Sequence, residues 1–218
     1  GRDLYVEGVF TNAVDVAVGA SYNGRNDKID IIVALPWSQR GLRQASTIEV
    51  FTLTNNTLYN PSWGMQSGRV RNSRVATSLR PEVVALWQRR LTAVTDLKVV
   101  ANLYFDRRGL SSLSWFNAPT PAPDNYKYLP SYFDSDADRL AVEEAWRNND
   151  MRYTQIDWEG IYHTNALQSD GHARYAVASR RTNTTHAAIN VGFSSRVANA
   201  DIDYGVEFVA SSEREFMT

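Results

Sequence analysis

Four sets of side chains in this sequence have the types that catalysis or metal binding needs, and none has the spacing. Glu143 and Glu144 are adjacent, so on a helix their carboxylates diverge and cannot flank the single bond that glycoside hydrolysis requires. Asp157 and Glu159 share a face only in an extended segment. His163, His172 and His186 are far apart, and none belongs to a His-x-x-x-His pair of the kind that holds zinc. Ser38 and Ser67 lack a Gly-x-Ser-x-Gly setting, and Gly8, Gly19 and Gly24 read as strand or turn glycines rather than a phosphate loop. Cysteine is absent, which removes disulfides, thiolate zinc sites and cysteine nucleophiles together. No catalysis, cofactor or metal centre is expected.

Binding chemistry is better represented. Trp63, Trp115, Tyr126, Tyr128 and Tyr132 offer flat amphipathic rings in stretches rich in Pro, Gly and Asn, and are the candidate ligand-binding residues. They suit stacking on a sugar, a peptide or a cofactor ring. The same rings, with the prolines around them, suit packing long loops into a rigid cap, which is the favoured reading. The Arg69, Arg71, Arg74 and Arg80 series suits steering of an anionic ligand, or a ladder paired with wall carboxylates.

The elements that must position these groups are mostly strands. Val14, Val16, Val18, Ala20 and Tyr22 alternate with Asp15, Ala17, Gly19 and Ser21. After a turn at Gly24-Arg25-Asn26-Asp27, Ile29, Ile31, Val33, Leu35 and Trp37 return on one face. Pro36 marks the end of that strand. A strand is expected from Val75 to about Arg90, although Val84 and Leu86 break its alternation and Pro81 would also suit a first helical turn. Its partner carries Leu97, Val99, Ala101, Leu103 and Phe105, and a third hairpin runs from Ala187 to Phe193 and from Ile202 to Ala210. A brief helix is expected within Ala45 to Leu53. A better one is capped by Ser135, with Asp138 three residues on and Leu140, Val142, Ala145 and Trp146 inside.

Connections alternate: tight at Gly24, long over 38–74, tight near Thr92, very long over 108–172, tight near Ala198. Outer-membrane barrels have this rhythm, with short turns on one side and long loops on the other. The alternative is a soluble antiparallel sheet with one wet face, acting as a ligand-binding or interaction module of the cell envelope. Basic and acidic residues number 23 and 24, so charge points to no nucleic-acid partner. The sequence holds no apolar run long enough for a transmembrane helix, and a mean hydropathy of -0.40 does not argue against a barrel, whose strands show lipid only every second residue. Gly1-Arg2-Asp3-Leu4-Tyr5 has neither a charged nor an apolar leader character, so the chain reads as an internal piece, or as a mature or trimmed chain.

The block Asn60-Pro61-Ser62-Trp63-Gly64-Met65-Gln66-Ser67-Gly68-Arg69, followed by Arg71-Asn72-Ser73-Arg74, resembles a segment of Bacteroidetes TonB-dependent outer-membrane receptors. So do Ser114-Trp115-Phe116-Asn117-Ala118, Pro123-Asp124-Asn125-Tyr126, Tyr128-Leu129-Pro130-Ser131-Tyr132 and Gln155-Ile156-Asp157-Trp158, in that order. The resemblance implies an all-β fold: antiparallel hairpins of a transmembrane β-barrel with long, partly helical extracellular loops. About six strands of that barrel would lie in residues 1–218, without plug or remaining strands. It further implies ligand uptake at the cell outer membrane. The implied partners are outer-membrane lipid, the rest of the barrel and plug, the TonB system through that plug, and a surface lipoprotein.

Overall fold

The computed structural model describes residues 6–218; Gly1–Tyr5, read above for leader character, lie outside it. Nine strands and four α-helices follow one another. They are β1 (Phe10–Asn23), β2 (Asp27–Gly41), α1 (Ile48–Thr54), β3 (Trp63–Gln66), β4 (Arg69–Asn72), β5 (Val75–Leu79), β6 (Glu82–Arg90), β7 (Thr95–Trp115), α2 (Asp136–Arg147), α3 (Met151–Thr154), α4 (Trp158–Ala166), β8 (Tyr175–Val197) and β9 (Ala200–Met217). All but β3 and β4 join one antiparallel sheet in sequence order, a meander with β1 and β9 at its edges.

The strand expected from Val75 to Arg90 is present but divided. Trp37 pairs with Leu79 and Ala34 with Glu82, so β5 and β6 hold one register against β2 across the break. Two prolines explain the interruption. The Arg80 amide donates to the Pro36 carbonyl at 3.1 Å and the Phe105 amide to that of Pro81 at 3.1 Å, but neither proline has an N–H to return the bond. Pro36 does not end its strand, as the sequence suggested; β2 continues to Gly41. Likewise β7 runs ten residues past Phe105 to Trp115, so Ser114 and Trp115 lie in a strand and the second long connection starts at Phe116. Strands of 21 and 23 residues, β7 and β8, overshoot the length that spans hydrocarbon.

Register puts the alternating residues together. Val18, Val33, Val83, Leu103, Ala187 and Ala210 form one unbroken row across the sheet, and Ala20, Ile31, Ala85, Ala101, Ile189 and Phe208 form the next. Lys28, Gln88, Lys98, Asn190 and Glu207 stand on the opposite face, with Asp30, Glu82 and Asn102. Val84 and Leu86 are on this polar face too, opposite Ile32 and Val100. Their apolar character is what blurred the alternation.

Among the described residues every buried apolar side chain lies in the two long connections, which fold together as a cap. Val50 and Leu53 of α1 pack with Tyr59, Leu129, and Val142 and Trp146 of α2. A second cluster, Ile156, Trp158 and Ile161, sits against Leu113 and Tyr175 at the ends of β7 and β8. Ser135 caps α2 as expected, accepting from the Asp138 amide, but Leu140 points to solvent rather than inward. The hairpin β3–β4 turns through Ser67 and Gly68, both at positive φ (48° and 74°), which suits a two-residue turn matched to strand twist.

Candidate functional site

The cap is built on buried amides. Asn60 donates to the Glu7 carbonyl at 2.9 Å, and Asn72 donates to the carbonyls of Gly8 and Leu42, each at 2.8 Å. Ser73 Oγ donates to the Ser62 carbonyl at 3.0 Å, and the Ile156 amide to that of Trp63 at 3.0 Å. A Cβ on Gly64 would run into the Ile156 carbonyl, so only glycine lets these two segments touch. The Asn-Pro-Ser-Trp-Gly and Asn-Ser blocks are therefore the joints of the cap.

A cavity of about 390 Å³ opens under the second connection. Pro121, Pro123, Tyr128, Phe133, Tyr153 and Tyr175 give it apolar walls, and Gln155, Asp157, Arg152 and Thr164 supply polar groups. The Tyr128 and Tyr175 hydroxyls donate to the carbonyls of Thr120 and Pro119, both at 2.9 Å, so the two rings are held by their tips. Burial pushes both phenols above their usual range, and Tyr128 adds to the effect on Tyr175. Arg152 forms a salt bridge with Asp150 at 2.6 Å, which holds that carboxyl below its usual range through the side-chain hydrogen bond. Asp157 accepts from the Gly160 amide at 2.9 Å and caps α4.

Of the five aromatic candidates, only Tyr128 lines this cavity. Trp63 is buried in β3 against Gly8 and offers no open ring. Tyr126 and Tyr132 are exposed and meet edge to face at 5.7 Å on the cap surface, and Trp115 is exposed at the end of β7. Gln155, Tyr153 and Tyr175 were not singled out from the sequence. Gln155 stood inside a noted block, but nothing local marks it as buried.

The arginine series disperses. Arg71 lies 4.0 Å from the Trp158 ring and donates to Gln66 and the Tyr162 hydroxyl, which lowers that phenol's pKa. Arg74 donates to Gln44 at 3.0 Å. Arg80 lies on the polar face of the sheet, 4.1 Å over Tyr104, whose other neighbour His186 stacks at 4.7 Å. Beside them Asn102 donates to Glu82 at 2.7 Å, and the buried Asp106 pairs with Arg108 at 2.6 Å. The polar face is thus a ladder of paired charges and stacked rings. Among the described residues no group of three or more His, Asp or Glu side chains is placed to hold a metal ion, and no helix is long and apolar enough to cross a membrane.

Comparison with protein-family models, with curated proteins and with solved structures returns no match.

Proposed function

We propose that this chain forms part of the wall and the outer cap of a transmembrane β-barrel of the TonB-dependent receptor type, serving ligand uptake across an outer membrane. One observation carries the reading: the apolar face of the sheet is uncovered. Val16, Val33, Leu35, Leu103, Ile189, Val206 and Phe208 are all exposed, in a sheet whose other face is charged. Water tolerates no apolar patch of that extent on a monomer, and lipid does.

Its dimensions support the same conclusion. The apolar positions span nine residues in β1 (Val14–Tyr22), β2 (Ile29–Trp37), β7 (Leu97–Phe105) and β9 (Ile202–Ala210). Nine residues at about 3.3 Å measure about 30 Å, or about 23 Å at a tilt of about 40°, against the ~25 Å band such barrels show to lipid. Above the band the same face turns polar at Arg107, Asn183 and Arg181. Trp37 marks that rim; Tyr22, Trp87 and the stacked pair Phe193 and Tyr204 mark the other. Further strands would close the barrel at β1 and β9, where a plug, the TonB system and a surface lipoprotein would act on the whole receptor.

Sidedness tests the reading. On intact cells making the protein, external chymotrypsin should cut at the exposed Phe116, while trypsin should spare Arg25 in the tight turn until the outer membrane is opened. The reverse order would refute the assignment.

A further inference from the structure

We propose that the cap cavity binds an uncharged planar ring carrying an amide-type edge, with the Gln155 side chain as its hydrogen-bonding partner. Gln155 is only 9 % exposed, lines the cavity, and its amide makes no hydrogen bond to another described residue. The other near-buried amides of the cap behave differently: Asn60 and Asn72 are both committed to backbone carbonyls. The Gln155 amide has no partner among the described residues where it lines an open cavity, so a ligand there can take the place of the water that now satisfies it.

The remaining walls set the class of ligand. Tyr128 and Tyr175 have spent their hydroxyls on loop carbonyls, so they present ring bodies, and Pro121 and Pro123 add flat apolar surface. Of the charged groups, Arg152 is paired with Asp150, and Asp157 accepts from the Gly160 amide at the N-terminus of α4, whose dipole offsets part of its charge. Besides the hydroxyls of Tyr153 and Thr164, what is left is apolar wall with the donor and the acceptor of Gln155 side by side. A ring amide returns both bonds in its own plane while its faces lie on the walls, as glutamine does with the edge of a base. A pyranose spreads hydroxyls around its whole rim and would turn part of them toward the prolines and tyrosine rings of these walls. At about 390 Å³ the cavity is within the usual range for a small molecule. The assignment rests on the cap alone and stands whether or not the sheet lies in a membrane.

The test uses the full chain folded in detergent micelles, with near-ultraviolet circular dichroism from the buried tryptophans as the check on the cap. Nicotinamide and uracil are titrated by saturation-transfer NMR, beside N,N-diethylnicotinamide, which cannot donate, and methyl α-glucopyranoside. Saturable binding of nicotinamide or uracil is expected, weakened about fivefold or more in the diethyl compound and in Gln155→Ala. Gln155→Met keeps the buried stem, so it should show the same loss with an unchanged dichroism spectrum, while Tyr126→Ala, outside the cavity, binds normally. Absence of saturable binding by either ring amide up to its solubility would overturn the proposal. So would preference for the glucoside, or undiminished binding by Gln155→Met.

Discussion

Val83 of β6 and Leu103 of β7 stand directly opposite each other in the sheet, and both remain more than a third exposed. Their sequence neighbours Glu82 and Asn102 bond across the other face at 2.7 Å. Two adjacent strands thus hold an ordered polar face and an apolar face without a cover, and the apolar rows continue this asymmetry over β1, β2, β8 and β9.

It gives a mutational test with a sign. Val83→Arg or Leu103→Arg in a bilayer should cost about 2–4 kcal/mol if these sites lie at the middle of the hydrocarbon. Asn102→Arg, one residue away on the polar face, should cost far less. Equilibrium denaturation of the three variants in lipid vesicles measures the difference; equal losses would mean a sheet buried on both sides.

The cap has its own core and should respond separately. Trp146 is fully buried and meets Tyr59 edge to face at 5.6 Å. Trp146→Ala should cost the cap about 3–5 kcal/mol. Limited proteolysis would then show new cuts within 42–74 and 116–174, with the sheet signal in circular dichroism unchanged.

Asp124 ties the two connections together, accepting from Ser46 Oγ at 2.8 Å. Burial raises its pKa above the ordinary value of 3.8, against the opposing effect of the Ser46 bond. A carboxyl with a raised folded pKa binds more protons folded than unfolded, so its contribution to stability is complete below the unfolded pKa and is lost as pH rises through the folded one. Cap stability should therefore fall as pH rises above about 4 through that window, and Asp124→Asn should flatten the slope. Melting of the cap followed by near-ultraviolet dichroism from pH 3 to 7 checks both.

Period-2 alternation was enough to place all three hairpins and both faces in the sequence, because side-chain direction along a strand is fixed by backbone geometry. Asp15, Asp30, Lys98, Asn102, Asn190, Asp203 and Glu207 all share one face, as their spacing implied. Strand ends were harder. Ser111, Ser112 and Ser114 carry no apolar signal, yet β7 continues through them because β8 pairs with them as far as Tyr175. The division at Arg80 and Pro81 depends on Pro36 lying across from it, a long-range coincidence that local pattern cannot report. For the same reason Trp63 and Gln155 changed places as site candidates. Trp63 is buried by Gly8, 55 residues away, and Gln155 is buried by the connections folding over it.

In plain buffer the chain should not be a compact monomer. β1 and β9 leave unpaired backbone edges, and the apolar band joins one to the other. Analytical ultracentrifugation without detergent should find oligomers or aggregate, with a defined species appearing on addition of amphiphile. A cooperatively melting monomer would favour the soluble envelope module.

The most direct measurement places nitroxide spin labels, one at a time, at each position from Leu97 to Phe105 of the protein in a lipid bilayer. Collision rates with oxygen and with a water-soluble nickel chelate are then compared. Labels at 97, 99, 101, 103 and 105 should favour oxygen, and labels at 98, 100, 102 and 104 should favour the chelate. Low access to both reagents at the odd positions, or no alternation at all, would contradict a lipid-facing sheet.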